Sequence, residues 1–425
     1  MYYWYRFFTY LFYPFAPIYL YFRKIKKKED PIRYKEKLSK INIKREEGFL
    51  IWFHVASIGE AMSILPLIDS CIKEKNIDTI LVTSITNSSS KILEKKFKNN
   101  PKINHQFLPL DIISFINKFL EHWKPDLSIL IESEIWPNLI LKISEKKIPL
   151  ILINARITKK SFTRWKFITN FAKKIFGKFD LCIASNQESE NFLKILGSKN
   201  VKNYGNLKYS SIKNNLKKEM NLNFLNEIKS RKIWCAASTH PSEEIMCANA
   251  HLKIKKNFEN VLTIIIPRHI DRIKKINEEL SKLNINVALS TELDKVNKKT
   301  DVILVNSYGE AAKFYNISKY VFLGKSLVRS LVKDGGQNPI EPARLGCKIL
   351  HGPYVSNFAE IYDHLKTLKI TKEINDYKQL GQSLVDEFKL DEPKNLETGQ
   401  KIENYGQNIL NNVFSELKKY INNYR

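Results

Sequence analysis

Short apolar, β-branched runs alternate with segments of helical periodicity along most of the chain, from residue 49 onward. Such runs predict buried strands, and their alternation with helices predicts a parallel, doubly wound sheet. The first group of predicted strands covers residues 49–54, 79–83, 104–108, 127–131, 150–154 and 181–184. A second group follows at 233–237, 261–266, 287–290, 302–305, 320–323 and 348–350. We therefore expect an α/β protein with two Rossmann-like domains.

The stretch at 209–230 interrupts this rhythm and is rich in Lys and Asn, which indicates a linker between the two domains. A length of 425 residues suits two domains, because each is then large enough to bury its own core. The predicted boundaries are 1–30 for an N-terminal segment, 31–210 and 211–400 for the two Rossmann-like domains, and 401–425 for a final helix that packs back across them.

The N-terminal segment is dominated by aromatic residues. Residues 2–22 contain thirteen aromatic side chains and one charge, Arg6, and a basic run follows at 23–28. A secretory signal would carry its positive charges before the apolar stretch. About 20 residues could just span a bilayer, but Pro14, Pro17 and the tyrosines favour a shallow, interfacial helix that contacts the membrane. The basic run after this helix indicates, by the positive-inside bias, that the rest of the chain lies on the cytoplasmic side. The alternative is an aromatic helix packed on the protein's own core.

Composition narrows the classes of partner. Lys and Arg total 70 against 44 Asp and Glu, a net charge of +26, while 43% of residues are hydrophobic. The chain is therefore a folded, basic protein, and an anionic partner is expected unless the charge reflects a general bias toward Lys and Asn. The five cysteines lack CxxC pairing and the histidines lack clustered metal spacing. We expect a reducing compartment and no metal site.

Polar residues follow the first predicted strand, at the edge where parallel α/β sheets bind ligands. The segment HVASIGE at 54–60 is a small-residue turn that opens a helix and would present backbone N–H groups to an anion or a sugar. Glu60 is then a candidate general base. The spacing of Ser57 and Glu60 equally fits a capping box at the helix N-terminus. The residues alone leave both roles open.

Two carboxylates, Glu132 and Glu134, follow the fourth predicted strand and precede Trp136 and Pro137. Acidic residues are common at helix N-termini, but two of them at a strand's carboxyl end also suit a binding crevice. Lys208, at the end of the first domain, could face a leaving phosphate. A solvated surface lysine is the alternative in so basic a chain.

The second half carries strand-end motifs suited to phosphate at 238–240, 267–269, 307–310 and 335–341. Arg268 offers a planar donor fork, and Glu341 could accept hydrogen bonds from two ribose hydroxyls. The chain has neither GxxxxGK[ST] nor GxGxxG, so a P-loop ATPase or a dinucleotide site of the usual kind is not expected.

Seven motifs occur along the chain in this order: HVASIGE at 54–60, ESEIWPN at 132–138, NAR at 154–156, GNLK at 205–208, STH at 238–240, PRH at 267–269 and GGQNPIE at 335–341. Together they resemble the 3-deoxy-D-manno-octulosonic acid (Kdo) transferases of lipopolysaccharide assembly. The resemblance covers essentially the whole chain. It implies a GT-B-like fold of two Rossmann-type domains with a cleft between them. It also implies an inverting transfer of Kdo from CMP-Kdo to a lipid A precursor (lipid IVA) at the cytoplasmic face of the inner membrane, without a cofactor or a metal.

The resemblance also assigns roles to residues. It implies that Glu60 is the catalytic base and that Glu132 and Lys208 stabilise the transition state. The positions that match the family's CMP-binding segments are Pro267, Arg268, Tyr308, Gly309, Glu310, Asn338, Pro339, Ile340 and Glu341. The expected partners are CMP-Kdo, the lipid A precursor and an anionic inner-membrane surface that the N-terminal segment contacts. No nucleic acid is expected, since the chain has no RNP or helix-turn-helix signature.

This chain departs from the family pattern at a few positions. Gln337 stands where His is common, Tyr308 where Met is common, and Gly324-Lys325-Ser326 where Gly-Gly-Ser is usual; the segment at 328–335 is a few residues longer. Two other functions remain as alternatives. A nucleotide-sugar enzyme of the epimerase type would not need residues 2–22, and a basic membrane-peripheral binding protein would not need carboxylates at strand ends.

Overall fold

The structure is a computed structural model that describes residues 1–210, 220–332 and 335–422. The chain divides into two compact units, Met1–Ile212 with Tyr405–Arg425, and Lys213–Asn404. Part of the predicted linker, residues 211–219, and the end of the predicted final segment, 423–425, lie outside the described residues.

The first unit is built on a seven-stranded parallel sheet. Its strands are β1 (Leu50–Val55), β2 (Thr79–Ser84), β3 (Ile103–Phe107), β4 (Leu127–Ile131), β5 (Leu150–Ala155), β6 (Leu181–Ala184) and β7 (Val201–Asn203). They lie in the order β3-β2-β1-β4-β5-β6-β7. All residues of β1, β2, β4, β5 and β6 are buried. Burial on both faces explains why these strands read as continuous apolar runs.

Nine helices belong to the first unit before its last strand. They are α1 (Tyr2–Phe12), α2 (Ala16–Ile25), α3 (Ile58–Ile72), α4 (Asn87–Phe97), α5 (Ile113–Trp123), α6 (Pro137–Glu145), α7 (Lys159–Lys166), α8 (Thr169–Phe176) and α9 (Gln187–Leu196). Short 3₁₀ turns lie at Tyr13–Phe15, Arg33–Leu38 and Leu207–Ser210. The crossover helices α3, α4, α5, α6 and α9 cover the sheet and bury its apolar faces.

Helices α1 and α2 dock on the first unit by one side only. The Tyr5 hydroxyl donates to Asp111 at 2.7 Å, and Ala16 and Leu20 are fully packed. Eleven of the thirteen aromatic side chains of residues 2–22 are nevertheless exposed, among them Tyr3 at 79% and Phe8 at 60%. No helix among the described residues combines the length and the apolar character that crossing a bilayer requires.

The second unit repeats the architecture. Its strands are β8 (Lys232–Thr239), β9 (Val261–Pro267), β10 (Val287–Leu289), β11 (Val302–Leu304), β12 (Tyr320–Leu323), β13 (Lys348–His351) and β14 (Thr371–Glu373). They are all parallel and lie in the order β10-β11-β9-β8-β12-β13-β14. The short edge strand β10 lies outside β11, so this sheet differs from the first in the order of its outer strands.

The helices of the second unit are α10 (Leu222–Ile228), α11 (Glu243–Lys255), α12 (Ile273–Ser281), α13 (Ala311–Ile317), α14 (Ile340–Arg344), α15 (Ala359–Thr367) and α16 (Tyr377–Leu390). Further 3₁₀ turns lie at Ile270–Arg272, Ser290–Lys295 and Arg329–Leu331. The last helix, α17 (Leu396–Asn422), belongs to the second unit up to Asn404 and to the first unit from Tyr405.

The predicted fold class, α/β with two Rossmann-type doubly wound sheets, is confirmed. In each sheet the chain first builds the strands on one side of the first strand, β1 or β8, and then crosses to the other side of it. The two switch points of strand order therefore lie between β1 and β4 and between β8 and β12. Loops diverge at such switch points, and crevices for ligands form there at the carboxyl ends of the strands. The fold therefore singles out the residues that follow β1, β4, β8 and β12.

Candidate active site

Glu60 lies in the first turn of α3, next to the carboxyl end of β1. Ser57 is the N-cap of this helix and accepts a hydrogen bond from the Glu60 N–H at 3.2 Å. The Glu60 carboxylate in turn accepts from the Ala56 N–H at 2.7 Å and from the Ser57 hydroxyl at 2.9 Å. These are capping interactions, so Glu60 holds its own turn in place.

The same carboxylate has a raised pKa. Glu60 is 8% exposed, and its burial raises its pKa to about 7, although the Ala56 N–H opposes the shift. The negative charges of Glu132 and Glu134 raise the pKa further. A general base works best when its pKa lies near the operating pH. One side chain therefore makes the capping contacts and has a pKa in the range that suits a general base.

Glu132 follows β4 directly and forms an ion pair with Lys208. Its Oε1 lies 2.8 Å from the Lys208 Nζ, and each side chain is 13% exposed. The Asn154 side-chain Nδ2 donates to the same oxygen at 3.3 Å, while the Asn154 side-chain Oδ1 accepts from the backbone N–H of Leu207 at 2.9 Å. The strand edge and the 3₁₀ turn that carries Lys208 are thereby joined.

Two of these residues adopt left-handed backbone conformations. Glu132 has φ +55° and Asn154 has φ +53°. Asn tolerates this region, but for Glu it costs about 1 to 2 kcal/mol. Such strain at a strand end aims the side chain away from the regular pleat and is frequent at functional sites.

Glu134 is the end of a buried hydrogen-bond chain. Its Oε2 accepts from the Trp136 indole at 2.8 Å and lies 3.3 Å from His54 Nε2, while His54 Nδ1 lies 2.9 Å from the Thr83 hydroxyl. The carboxylate can only accept, so a neutral His54 must carry its proton on Nε2 and accept at Nδ1. Sequence reasoning missed Thr83, because the only sign of its role is that a polar residue lies within the buried strand β2.

In the second unit, Glu243 fixes the loop that follows β12. Its carboxylate accepts from the backbone N–H groups of Lys325 at 2.7 Å, Ser326 at 3.0 Å and Leu327 at 3.0 Å, and from that of His240 at 2.9 Å. Burial is the dominant influence and raises the pKa of Glu243. Sequence reasoning missed this residue, because three of its four partners lie more than 80 positions away.

Gly324 explains why the loop can lie so close to β8. A Cβ at this position would come within 2.6 Å of the Ser238 carbonyl oxygen and 2.7 Å of Glu243 Oε2. Only glycine permits this approach. The ends of β8 and β12 are therefore joined by glycine packing as well as by the Glu243 carboxylate.

Positive charge collects at this edge. Arg268 follows β9 directly and its side chain is exposed. Its backbone N–H donates to the Thr239 carbonyl oxygen at 3.0 Å. The rings of His240 and His269 lie 5.7 Å apart. Partial burial and then the charge of Lys325 lower the pKa of His240 to about 4. A neutral His240 beside fixed cations suits an anionic ligand.

The remaining predicted CMP-binding residues lie next to Arg268 and on two further segments of the second unit. Pro267 is the buried last residue of β9. Tyr308 is 68% exposed, Gly309 has φ +80°, and Glu310 pairs with Lys313 at 2.5 Å. At the third segment, the Asn338 side chain accepts from the N–H of Ile340 at 3.0 Å, Pro339 is the N-cap of α14, and Glu341 stands in its first turn.

The described residues contain no group of three or more His, Cys, Asp or Glu side chains placed to hold a metal ion. The five cysteines are free and buried. Burial raises the pKa values of Cys71, Cys182 and Cys347 above that of an ordinary thiol, which keeps these thiols protonated and unreactive.

Comparison with known proteins decides among the functions that this geometry suits. Residues 32–211 match the family described as 3-Deoxy-D-manno-octulosonic-acid transferase (kdotransferase). A 3-deoxy-D-manno-octulosonic acid transferase of Rickettsia bellii is 34% identical over 407 residues, which cover 96% of this chain and 94% of that protein. The chain belongs to the Kdo transferase family. A Haemophilus influenzae Kdo transferase is 31% identical over 329 residues, which cover 76% of this chain and 75% of that protein.

Solved structures place this Kdo transferase among GT-B-like folds. The UDP-GlcNAc 2-epimerase of Neisseria meningitidis, bound to UDP-GlcNAc, has a TM-score of 0.55 at 15% identity, covering 88% of this chain and 99% of that chain. An Anabaena protein in complex with UDP and glucose has a TM-score of 0.53 at 12% identity, covering 88% and 100%. At such identities the likeness concerns the fold alone.

The family resemblance drawn from the seven motifs is confirmed, and with it a glycosyltransferase of lipopolysaccharide biosynthesis. The epimerase alternative shares only the fold, since the epimerase above is 15% identical, whereas Kdo transferases match at 31% and 34%. Family membership also favours an enzyme over a basic membrane-peripheral binding protein.

Proposed function

We propose that this Kdo transferase moves Kdo from CMP-Kdo to a lipid A precursor (lipid IVA), with inversion at the anomeric carbon and without a metal. Glu60 is the general base. The observation that carries this proposal is a buried carboxylate whose pKa lies at about 7, beside the ion pair of Glu132 and Lys208. An acceptor hydroxyl loses its proton as it attacks the anomeric carbon, and a carboxylate with this pKa can accept it at neutral pH.

Glu132 and Lys208 support the transition state in this proposal. The acceptor oxygen gains and then loses negative charge as its proton leaves, while positive charge develops at the anomeric carbon. A fixed carboxylate and a fixed ammonium, both largely removed from water, stabilise such separated charges more strongly than solvent does. Their 2.8 Å pairing keeps both in place before the substrate arrives.

The second unit holds the donor nucleotide. Arg268 and the backbone N–H groups at the strand ends would offset the phosphate charge of CMP, and Glu341 would accept from the ribose hydroxyls. The other members of the nucleotide site are Pro267, Tyr308, Gly309, Glu310, Asn338, Pro339 and Ile340. Support comes from their positions in the chain at or after the carboxyl ends of β9, β11 and β12, and from the cations that lower the pKa of His240.

Arg268→Ala should weaken CMP binding by about tenfold or more, because a charge-assisted hydrogen bond to phosphate contributes about 1.5 to 3 kcal/mol. Isothermal calorimetry with CMP measures the change. Lys319→Ala is the matched control, since Lys319 is a cation at the amino end of β12 and pairs with Asp391. Equal CMP affinity in wild type and Arg268→Ala would remove Arg268 from the nucleotide site.

Helices α1 and α2 contact the cytoplasmic face of the inner membrane in this proposal. Exposed aromatic rings prefer the bilayer interface, and the cations at 23–28 attract anionic lipid with about 1 kcal/mol each. The lipid acceptor resides at this surface. Trp4, Phe7 and Phe8 form one exposed ring cluster, with centroids 5.7 to 6.3 Å apart.

Replacing Trp4, Phe7 and Phe8 together with Gln should reduce binding to anionic vesicles while CMP binding stays unchanged. This change leaves the packing of the segment intact. Deletion of the segment would instead remove the hydrogen bond from Tyr5 to Asp111 and the ion pair of Glu29 with the buried Lys37. Vesicle co-sedimentation measures the effect, and Phe167→Gln, which alters a side chain 85% exposed outside the segment, is the control. Undiminished co-sedimentation of the triple variant would show that these rings do not contact the membrane.

A further inference from the structure

Lys325 stands at the switch point of the second sheet, in the loop that follows β12. Its backbone is held from two sides. The Lys325 N–H donates to Glu243 at 2.7 Å, and its carbonyl oxygen accepts from the Gly336 N–H at 2.6 Å. These bonds fix a left-handed conformation with φ +58°. A side chain with a Cβ is disfavoured there, and glycine would meet the backbone requirement without strain.

The Lys325 ammonium carries an uncompensated charge. No carboxylate of the described residues lies within ion-pair distance of it, whereas the nearby cation Arg272 is neutralised by a two-pronged pair with Glu244 at 2.9 and 3.1 Å. Lys325 is also only partly exposed. Neither the backbone conformation nor an ion pair with a described residue therefore explains a lysine at this position.

His240 adds a second unmatched group at the same place. The backbone N–H groups of His240 and Lys325 both donate to the Glu243 carboxylate. The His240 Nε2 is buried without a hydrogen-bond partner among the described residues. The charge of Lys325 is the first of four cationic influences that lower the pKa of His240, ahead of His269, Arg268 and Arg272. His240 therefore lies in a region of positive potential to which Lys325 contributes, and an imidazole N–H and an ammonium both donate to anionic oxygen.

We propose that the Lys325 ammonium and His240 Nε2 form an anion subsite that binds an anionic oxygen of the donor. This inference rests on the proposed function and deepens it, because it adds a side-chain cation where the family pattern has glycine. The anionic oxygen belongs to the nucleotide phosphate or to the carboxylate of the transferred sugar acid. Both groups accept charge-assisted hydrogen bonds, and both are present in CMP-Kdo.

Lys325→Asn and Lys325→Gly test the subsite without disturbing the loop. Asn and Gly both tolerate φ +58°, and both remove the charge. Thermal denaturation should show no loss of stability in either variant. CMP, CMP-Kdo and inorganic phosphate are the calorimetric probes, with cytidine as the uncharged comparison. Lys319→Asn is the control, because Lys319 lies at the other end of β12 and its replacement also removes one positive charge from the second unit.

Both Lys325 variants should bind CMP and inorganic phosphate about 5- to 30-fold more weakly if the subsite holds phosphate, with cytidine unaffected. A loss confined to CMP-Kdo would place the sugar carboxylate there. Affinities for all charged probes equal to those of wild type would overturn the inference and leave the proposed function standing. Wild-type protein that binds neither CMP nor phosphate would overturn both.

Discussion

Glu60→Gln should slow Kdo transfer by about 10²- to 10⁴-fold while the protein stays folded, because loss of a general base has effects of this size. The glutamine amide can still accept from the Ala56 N–H and donate to Ser57, so the first turn of α3 keeps its cap. Initial rates with CMP-Kdo and a detergent-dispersed lipid A precursor measure the loss. Near-normal turnover of the folded variant would eliminate Glu60 as the base.

Stability and pH separate the two roles of this residue. Burial raises the folded-state pKa of Glu60 to about 7, so its carboxylate lowers stability at any pH above the unfolded value. Glu60→Gln should therefore be at least as stable as wild type at pH 8. Ser57→Ala should show the reverse pattern, with a loss of about 1 kcal/mol in stability and little change in rate. The wild-type rate should rise with pH through about 7.

Lys208→Met should lower the transfer rate by about 10²- to 10³-fold, the range for removing one group that stabilises transition-state charge. The substitution also leaves Glu132 without the cation that now lies 2.8 Å away. Because the charge of Glu132 raises the pKa of Glu60, the rising limb of the pH–rate profile should move to higher pH. Rates measured between pH 6 and pH 9 test both effects.

Lys202→Met provides the matched control for Lys208→Met. Lys202 forms an ion pair of the same length, 2.8 Å, with Glu416 in the same unit, but away from the ends of β1 and β4. It should leave the rate and the pH profile unchanged. A profile for Lys208→Met that falls uniformly, without moving along the pH axis, would mean that Lys208 does not act on Glu60 through Glu132.

The central strands were predictable because burial on both faces leaves an unbroken apolar run in the sequence. This holds for β1, β4 and β9, which are buried along their whole length. The edge strands β7 and β14 were missed. Each has three residues, none fully buried, and a polar composition that periodicity cannot separate from a loop.

The candidate site was predictable as far as local rules reach. Glu60 and Glu132 follow apolar runs of the first sheet and Arg268 follows one of the second, and the parallel topology brings the strand ends of each sheet to one edge of that sheet. Contacts between distant segments were beyond reach. Asp111 illustrates this, since it accepts from Tyr5, 106 positions away, and from the N–H groups of Asn138 and Leu139 at the start of α6. No sequence pattern near Asp111 predicts those hydrogen-bond partners.

The four backbone N–H groups on Glu243 have a consequence for the thermodynamics of ligand capture. Ordering one residue of a loop costs about 1 to 2 kcal/mol of conformational entropy. Residues 325–327 are already fixed by the Glu243 carboxylate, so that cost was met when the second unit folded. An anion that docks against this loop loses its own freedom but does not have to freeze the chain, and its affinity is higher for that reason.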